Sequence, residues 1–271
     1  VTEQVEKVQD IEEKAKELIS VINLPEYTDI PIGQHCNKPY ECPLKKECWS
    51  TLPENNVLQL TNWRVYWKLL NEGVKDLKDI PYGTKLNERD EVIIESALNG
   101  NPHIAKEDIK QFLSTLKYPL YHFDFETFDT AVPLFNKSRP YQKIPFQYSL
   151  HIEQEDGSTH HREYLADSSQ DPRPELLKQM KDDLEGTGDI VVFNKSFEIS
   201  VMKKLAGDFP EHEEWLLKAI ERIVDLADVF RLYYYYDPSQ KGSYSIKKVL
   251  PAITGKSYSE LEINNGGDAS M

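Results

Sequence analysis

Residues 118–130 read YPLYHFDFETFDT. In an extended strand, successive side chains point to opposite faces. Tyr121, Phe123 and Phe125 therefore share one face, and His122, Asp124 and Glu126 share the other. A face of alternate aromatics needs an apolar layer to cover it, which makes this a central strand and the anchor of a sheet. The opposite face carries two carboxylates with alpha carbons about 6.6 Å apart. Like charges held that close repel unless something positive sits between them. Hard divalent cations such as Mg²⁺ and Mn²⁺ prefer such oxygen ligands. The plainer alternative is the solvated acidic face of an edge strand, and the flanking aromatics favour a pocket instead.

The sequence around this strand divides into three stretches. Val5, Val8, Ile11, Ala15, Leu18, Ile19 and Ile22 recur at helical spacing. A loop holding Cys36, Cys42 and Cys48 follows, so residues 1–50 form the first stretch. Residues 51–117 predict a helical connector, with TNWRVYWKLLNEG, NERDEVIIESALNG and KEDIKQFLSTL as helices. Asn87 opens the second of these as its expected N-cap, and the first two end on glycines suited to C-caps. Residues 118–271 read as an α/β domain. PFQYSLHIEQ and THHREYLAD flank the turn EDGS as a hairpin. PELLKQMKDDLEG is a helix, DIVVFN a buried parallel strand, and SFEISVMKKLAGDF a helix opened by Ser196. HEEWLLKAIERIVDLADVFRLYYYY is mostly helical, with IVDL open to an extended break, and SYSIKKVLPAI starts another helix. The fold class is α/β, a mixed sheet flanked by helices, preceded by a helical and cysteine-loop segment.

The net charge of −14 is adverse for a nucleic-acid partner, which ordinarily meets a basic surface. It does not exclude a nuclease, because a metal site needs acids and a groove needs only local cations. Three cysteines in 271 residues are no disulfide scaffold and point to a reducing cytoplasm. No apolar run reaches membrane-spanning length, and the oligomeric state is not legible. Asp225 and Asp228 read as surface or cap residues, Asp225 being a reserve metal ligand. His160 and His161 read as exposed beside the hairpin turn. Tyr233–Tyr236 fit core packing better than base stacking. Lys195, Lys241, Lys247 and Lys248 are candidate phosphate contacts, the plainer alternative being scattered lysines with no specific role.

The order D-x-E strand, hairpin, then strand-N-x-x-F-acid-helix resembles the DEDD 3′–5′ exonucleases of the ribonuclease H-like fold. Asp124 and Glu126 match the first motif. In FNKSFEISVM, Asn194, Phe197 and Glu198 match the second, with Glu where the family usually has Asp. In INNGGDASM, Asp268 and Ala269 match the third. The positions four and five earlier are Asn264 and Ile263, not the family's His or Tyr, so the general base is unassigned. The resemblance implies a two-metal exonuclease, with two Mg²⁺ or Mn²⁺ ions held by Asp124, Glu126, Glu198 and Asp268 as the catalytic acids. It also implies Thr127, Asn194 and Phe197 at the substrate, which is single-stranded DNA or RNA. The alternative is a catalytically decayed ribonuclease H-like binding or scaffold module.

The loop IGQHCNKPYECPLKKECW places five residues between Cys36 and Cys42 and five between Cys42 and Cys48. It resembles the cysteine tail of RecB-like nuclease domains of the PD-(D/E)XK class, where such a tail joins one upstream cysteine around an iron–sulfur cluster. The implied ligands are Cys36, Cys42 and Cys48, an incomplete set. His35 in the fourth place gives zinc instead. Together with IPFQYSLHI and GSYSIKKVLPAI, the pattern resembles a bacterial family labelled a domain of unknown function. On that resemblance the chain is a fragment, truncated at its C-terminus, with a terminal Asp268 too weakly anchored for robust turnover.

Overall fold

The computed structural model describes residues 11–25, 30–167 and 169–257. The chain forms two compact units, dividing between Glu54 and Asn55.

The first unit contains helix α1 (Ile11–Ile22), a 3-10 turn over Gln34–Cys36 and helix α2 (Lys45–Trp49). Its apolar spacing gives the expected helix, but no residue of α1 is buried.

The second unit opens with helices α3 (Trp63–Asn71) and α4 (Glu88–Asn99), then a short strand β1 (His103–Ile104) and helix α5 (Lys106–Ser114). Val57, Leu60, Leu69, Leu77 and Ile93 form a small core with Tyr233 and Tyr236. The tyrosine run therefore packs, as its composition suggests. Asn87 caps α4: its side chain accepts from the Asp90 N–H at 2.9 Å. Asp90, fully buried, in turn accepts from the Thr61 N–H at 2.6 Å and the Thr61 hydroxyl at 2.7 Å. We expect Asn87→Ala to cost about 1 kcal/mol, read as a lower denaturant midpoint with an unchanged slope.

Five strands form the main sheet: β2 (Leu120–Phe128), β3 (Ile144–Glu153), β4 (Thr159–Leu165), β5 (Ile190–Val192) and β6 (Ile223–Asp225). Their spatial order is β4-β3-β2-β5-β6. The pairs β2–β3 and β3–β4 are antiparallel, whereas β2–β5 and β5–β6 are parallel. This is the α/β class with a mixed sheet flanked by helices, and β2 lies at its centre. Tyr121, Phe123 and Phe125 are each less than 5% exposed, which confirms which face of β2 is apolar. With Tyr148 and Leu150 of β3 they meet helices α6 (Arg173–Asp183), α7 (Lys195–Asp208) and α8 (Glu213–Glu221). Each large side chain sealed here contributes roughly 1.5–3 kcal/mol of apolar burial. Gly188 sets the start of β5. A Cβ there would lie 1.9 Å from the Pro119 carbonyl oxygen, so only glycine permits this approach of β5 to the entry of β2.

One local expectation is corrected and one open alternative is resolved. Helix α7 is preceded by Asn194, not Ser196, as its N-cap residue; Asn194 takes a left-handed backbone at φ 75°. Its amide oxygen receives the Ser196 hydroxyl at 2.8 Å. The stretch from 212 to 236, read as mostly helical with IVDL open to an extended break, takes that break. It breaks at β6, resumes as the short helix α9 (Ala227–Arg231) and ends in strand β7 (Tyr235–Tyr236), which pairs with β1. The break falls where β-branched Ile223 and Val224 can pair with Ile190 and Val191, so sheet burial overrides helical continuation. Helix α10 (Ile246–Thr254) follows. Among the described residues, no helix is long and apolar enough to cross a membrane.

Candidate functional site

Asp124 lies just past the last β2–β5 pair, His122 with Val191, and faces Ser149 of β3 on its other side. Strand direction reverses at β2, and ligands of open α/β sheets bind outside the carboxyl ends of parallel strands at such a point. β5 ends at Val192, and Asn194 then turns the chain into α7, whose first turn carries Glu198. β6 ends at Asp225, opposite Val192. The middle of β2 and the carboxyl ends of β5 and β6 therefore each bring an acid to neighbouring positions of the sheet.

The electrostatics couple these acids in pairs. Burial pushes the Asp124 carboxyl above its ordinary value, although the residue keeps contact with solvent. Burial and the adjacent Asp124 charge raise Glu126. Glu198 is 2% exposed. Burial first, then the charges of Asp124 and Asp225, push it up to about 7. Its Oε2 atom is buried with no hydrogen-bond partner. No lysine or arginine pairs with Asp124, Glu126 or Glu198 among the described residues. A buried carboxylate with no cationic partner and one unbonded oxygen is a rare arrangement and one that favours taking up a proton.

Asp225 was expected on a helical stretch as a surface or cap residue, and that is corrected: it is 4% exposed at the end of a strand. It accepts from the Asn194 N–H at 2.8 Å and the Ala227 N–H at 3.1 Å. It thereby fixes the left-handed Asn194 turn that aims α7, and with it Glu198. The only signal for this role in the sequence is the short β-branched run ahead of it.

Phe197 packs against the apolar core, half-buried, while Asn194 is exposed. Thr127 follows a register shift between Glu126 and Thr127 and faces Pro145. Asp268 lies outside the described residues. Among those residues, no three or more His, Cys, Asp or Glu side chains stand in metal-holding geometry. The three cysteines are free: Cys36 buried, Cys42 half-buried and Cys48 exposed. The Cys42 N–H donates to the Cys36 carbonyl at 2.9 Å, which folds the loop back on itself, and Cys48 rides on α2.

Sequence reasoning also missed a buried polar hub beneath the loop that joins β2 to β3. Arg173, fully buried, pairs with Asp171 at 2.7 Å and Asp208 at 3.4 Å. It also donates to the carbonyls of Asn136 at 2.6 Å and Lys137 at 3.3 Å. No periodicity marks such a residue; its role exists only once the loop and α6 are placed together.

Comparison with known proteins places Asp124, Glu126, Arg173, Glu198 and Asp225 in one matched region, which includes neither the three cysteines nor Asp268. Residues 121–245 match a domain of unknown function, DUF2779. The chain is 33% identical over 175 residues to the uncharacterized protein UU173 of Ureaplasma parvum serovar 3, covering 56% of this chain and 25% of that protein. It is 29% identical over 180 residues to the uncharacterized MG366 homolog of Mycoplasma pneumoniae, covering 58% and 26%. It is 24% identical over 246 residues to the uncharacterized protein MG366 of Mycoplasma genitalium, covering 78% and 37%. The chain thus spans about a quarter to a third of the length of these relatives. No solved structure matches it.

Proposed function

We propose that the acid cluster is the centre of a metal-dependent 3′–5′ exonuclease acting on DNA or RNA phosphodiesters in the cytoplasm. The carrying observation is Glu198: a buried carboxyl, raised to about 7, with an unbonded Oε2 beside two other acids. Such a cluster supplies hard oxygen donors and unbalanced negative charge, which fits Mg²⁺ or Mn²⁺. The residues that would hold the cation are Asp124, Glu126 and Glu198, with Asp268 as the fourth acid by resemblance. A bound divalent cation supplies Lewis-acid stabilisation of a phosphoryl oxygen and a more acidic bound water. Asp225 acts through the Asn194 turn as a positioning residue. The aromatic face of β2 keeps the strand rigid, so Asp124 and Glu126 keep a fixed spacing.

The test is a time course on 5′-labelled single-stranded DNA and RNA with Mn²⁺, using this chain and one extended at both ends. The expected result is stepwise shortening from the 3′ end, stopped by EDTA. Absence of Mn²⁺-dependent cleavage of both substrates by both chains would reject the enzyme. A second reading, a decayed binding or scaffold module, draws support from the missing three-ligand geometry among the described residues. It predicts oligonucleotide binding with no shortening.

A further inference from the structure

The loop between β2 and β3, residues 129–143, begins three positions after Glu126 and holds an exposed aromatic ring on a rigidly bonded base. Tyr141 has a left-handed backbone at φ 56°, a conformation an aromatic residue adopts at an energetic cost and keeps only when its surroundings impose it. The imposition is visible. Its N–H donates to the Thr130 carbonyl at 2.8 Å. The next residue, Gln142, is 6% exposed. Gln142 donates to Asp208 at 2.9 Å and accepts from the Arg139 N–H at 3.2 Å. Arg173 clamps the Asn136 and Lys137 carbonyls from below. The base of the loop is therefore rigid, yet the Tyr141 side chain that results is 70% exposed. A strained backbone that places an aromatic ring in water gains nothing for the fold.

The neighbouring chemistry indicates what the ring meets. Arg139 is exposed, and among the described residues its guanidinium has no partner. Residues 130–143 contain Lys137, Arg139 and Lys143 and no acid, in a chain of net charge −14. Of the other two cations, Lys143 pairs with Asp129 at 2.5 Å and Lys137 donates to the Asp208 carbonyl at 3.1 Å. Arg139 alone of the three has no bonding partner for its charged group among the described residues. From Glu126 to Thr130, four strand-like steps cover ~13 Å, within reach of a short strand whose end lies at the acids.

We infer that Tyr141 and Arg139 form the grip for an unpaired nucleic-acid strand, Tyr141 stacking on a base and Arg139 bonding a phosphate of the same strand. This deepens the exonuclease reading and rests on it for the direction of the strand. Stacking on an aromatic ring tolerates any base, and a guanidinium matches phosphate oxygens in a forked geometry. A pair of this kind gives affinity without sequence preference, as an enzyme that removes successive nucleotides requires.

The experiment is fluorescence anisotropy of 5′-labelled oligothymidylate and oligouridylate, with Ca²⁺ replacing Mn²⁺ to separate binding from cleavage. Tyr141→Gly suits the left-handed backbone and removes only the ring, so its melting temperature is expected not to fall. Its affinity is expected to drop about ten-fold or more, whereas Tyr141→Phe stays within about two-fold of the parent. Arg139→Ala is expected to flatten the salt dependence by about 0.7 in log–log slope. Parental affinity in Tyr141→Gly, or no affinity of the parent for either oligonucleotide, overturns the grip. Binding that depends on Tyr141 without any Mn²⁺ cleavage upholds the grip and removes the exonuclease. Cleavage that persists with parental affinity in Tyr141→Gly removes the grip and leaves the exonuclease.

Discussion

Asp124→Asn is expected to lower Mn²⁺-dependent cleavage by about a thousand-fold or more while leaving the fold intact. Asp124 is the acid most central to the cluster. Its charge bears on Glu126 and on Glu198, and it sits where β2 passes beyond the end of β5. An amide keeps its shape and size but loses the charge that a hard cation requires. Losing electrostatic stabilisation at the reacting centre typically costs two to three orders of magnitude, and losing a metal costs more. The fold does not depend on Asp124, because β2 is held by its other face, where Tyr121, Phe123 and Phe125 are buried. The melting temperature is expected to rise slightly, since one of the charges opposing ionised Glu198 disappears. Solvent contact screens Asp124, so the gain is a fraction of a kcal/mol. The measurements are single-turnover rates and thermal melts at matched pH. Parental cleavage by the Asn variant would remove Asp124 from the active site.

How much of this was legible in the sequence follows from the kinds of interaction involved. Alternation over residues 121–126 reports a local, period-two geometry, so the buried and polar faces of β2 could be read directly. The hairpin, the Asn87 cap and the helix over 106–114 were legible for the same reason: a few adjacent residues specify each. The strand over 223–225 could be read only as an open alternative within a helical stretch, because three residues carry little periodic signal and their pairing with Ile190–Val192 is a long-range event. Asp225 changed from a presumed surface residue to a buried support of the Asn194 turn with that one reassignment. The D-x-E pair announced itself through repulsion. Glu198 did so only through its place in a motif, since burial of a first-turn acid depends on what α7 packs against. Arg173 and the strain at Tyr141 were invisible, because both arise from how the 129–143 loop is folded over α6.

Glu198 gives the second large expected effect, and it is one of stability. Its folded-state carboxyl stands at about 7, against an ordinary value of 4.5. Below about pH 4.5 the group is protonated in both folded and unfolded chains and exerts no penalty. Between the two values the folded chain binds the proton and the unfolded chain releases it, so each rise in pH favours unfolding. Above about 7 both forms are ionised, and the folded chain bears the whole cost of a buried, unpaired charge, about 3 kcal/mol. Stability is therefore expected to fall between about pH 4.5 and 7, by about 5–10 °C in melting temperature. Glu198→Gln cannot ionise and is expected to lose this slope. The slope is the readout, because an amide in the same pocket shifts the absolute stability for reasons of its own. A divalent cation bound by the cluster would offset the same charge. Mn²⁺ at a hundred times its dissociation constant adds about 2.7 kcal/mol, so it is expected to restore the parent at pH 8 and to help the Gln variant far less. Proton and cation then compete for one carboxylate, and cleavage is expected to rise with pH as Glu198 ionises while apo stability falls. Melting curves of both chains across this range, with and without Mn²⁺, decide the matter: an equal pH slope in the two would show that Glu198 is not the titrating group, and an equal Mn²⁺ shift would show that it is no ligand.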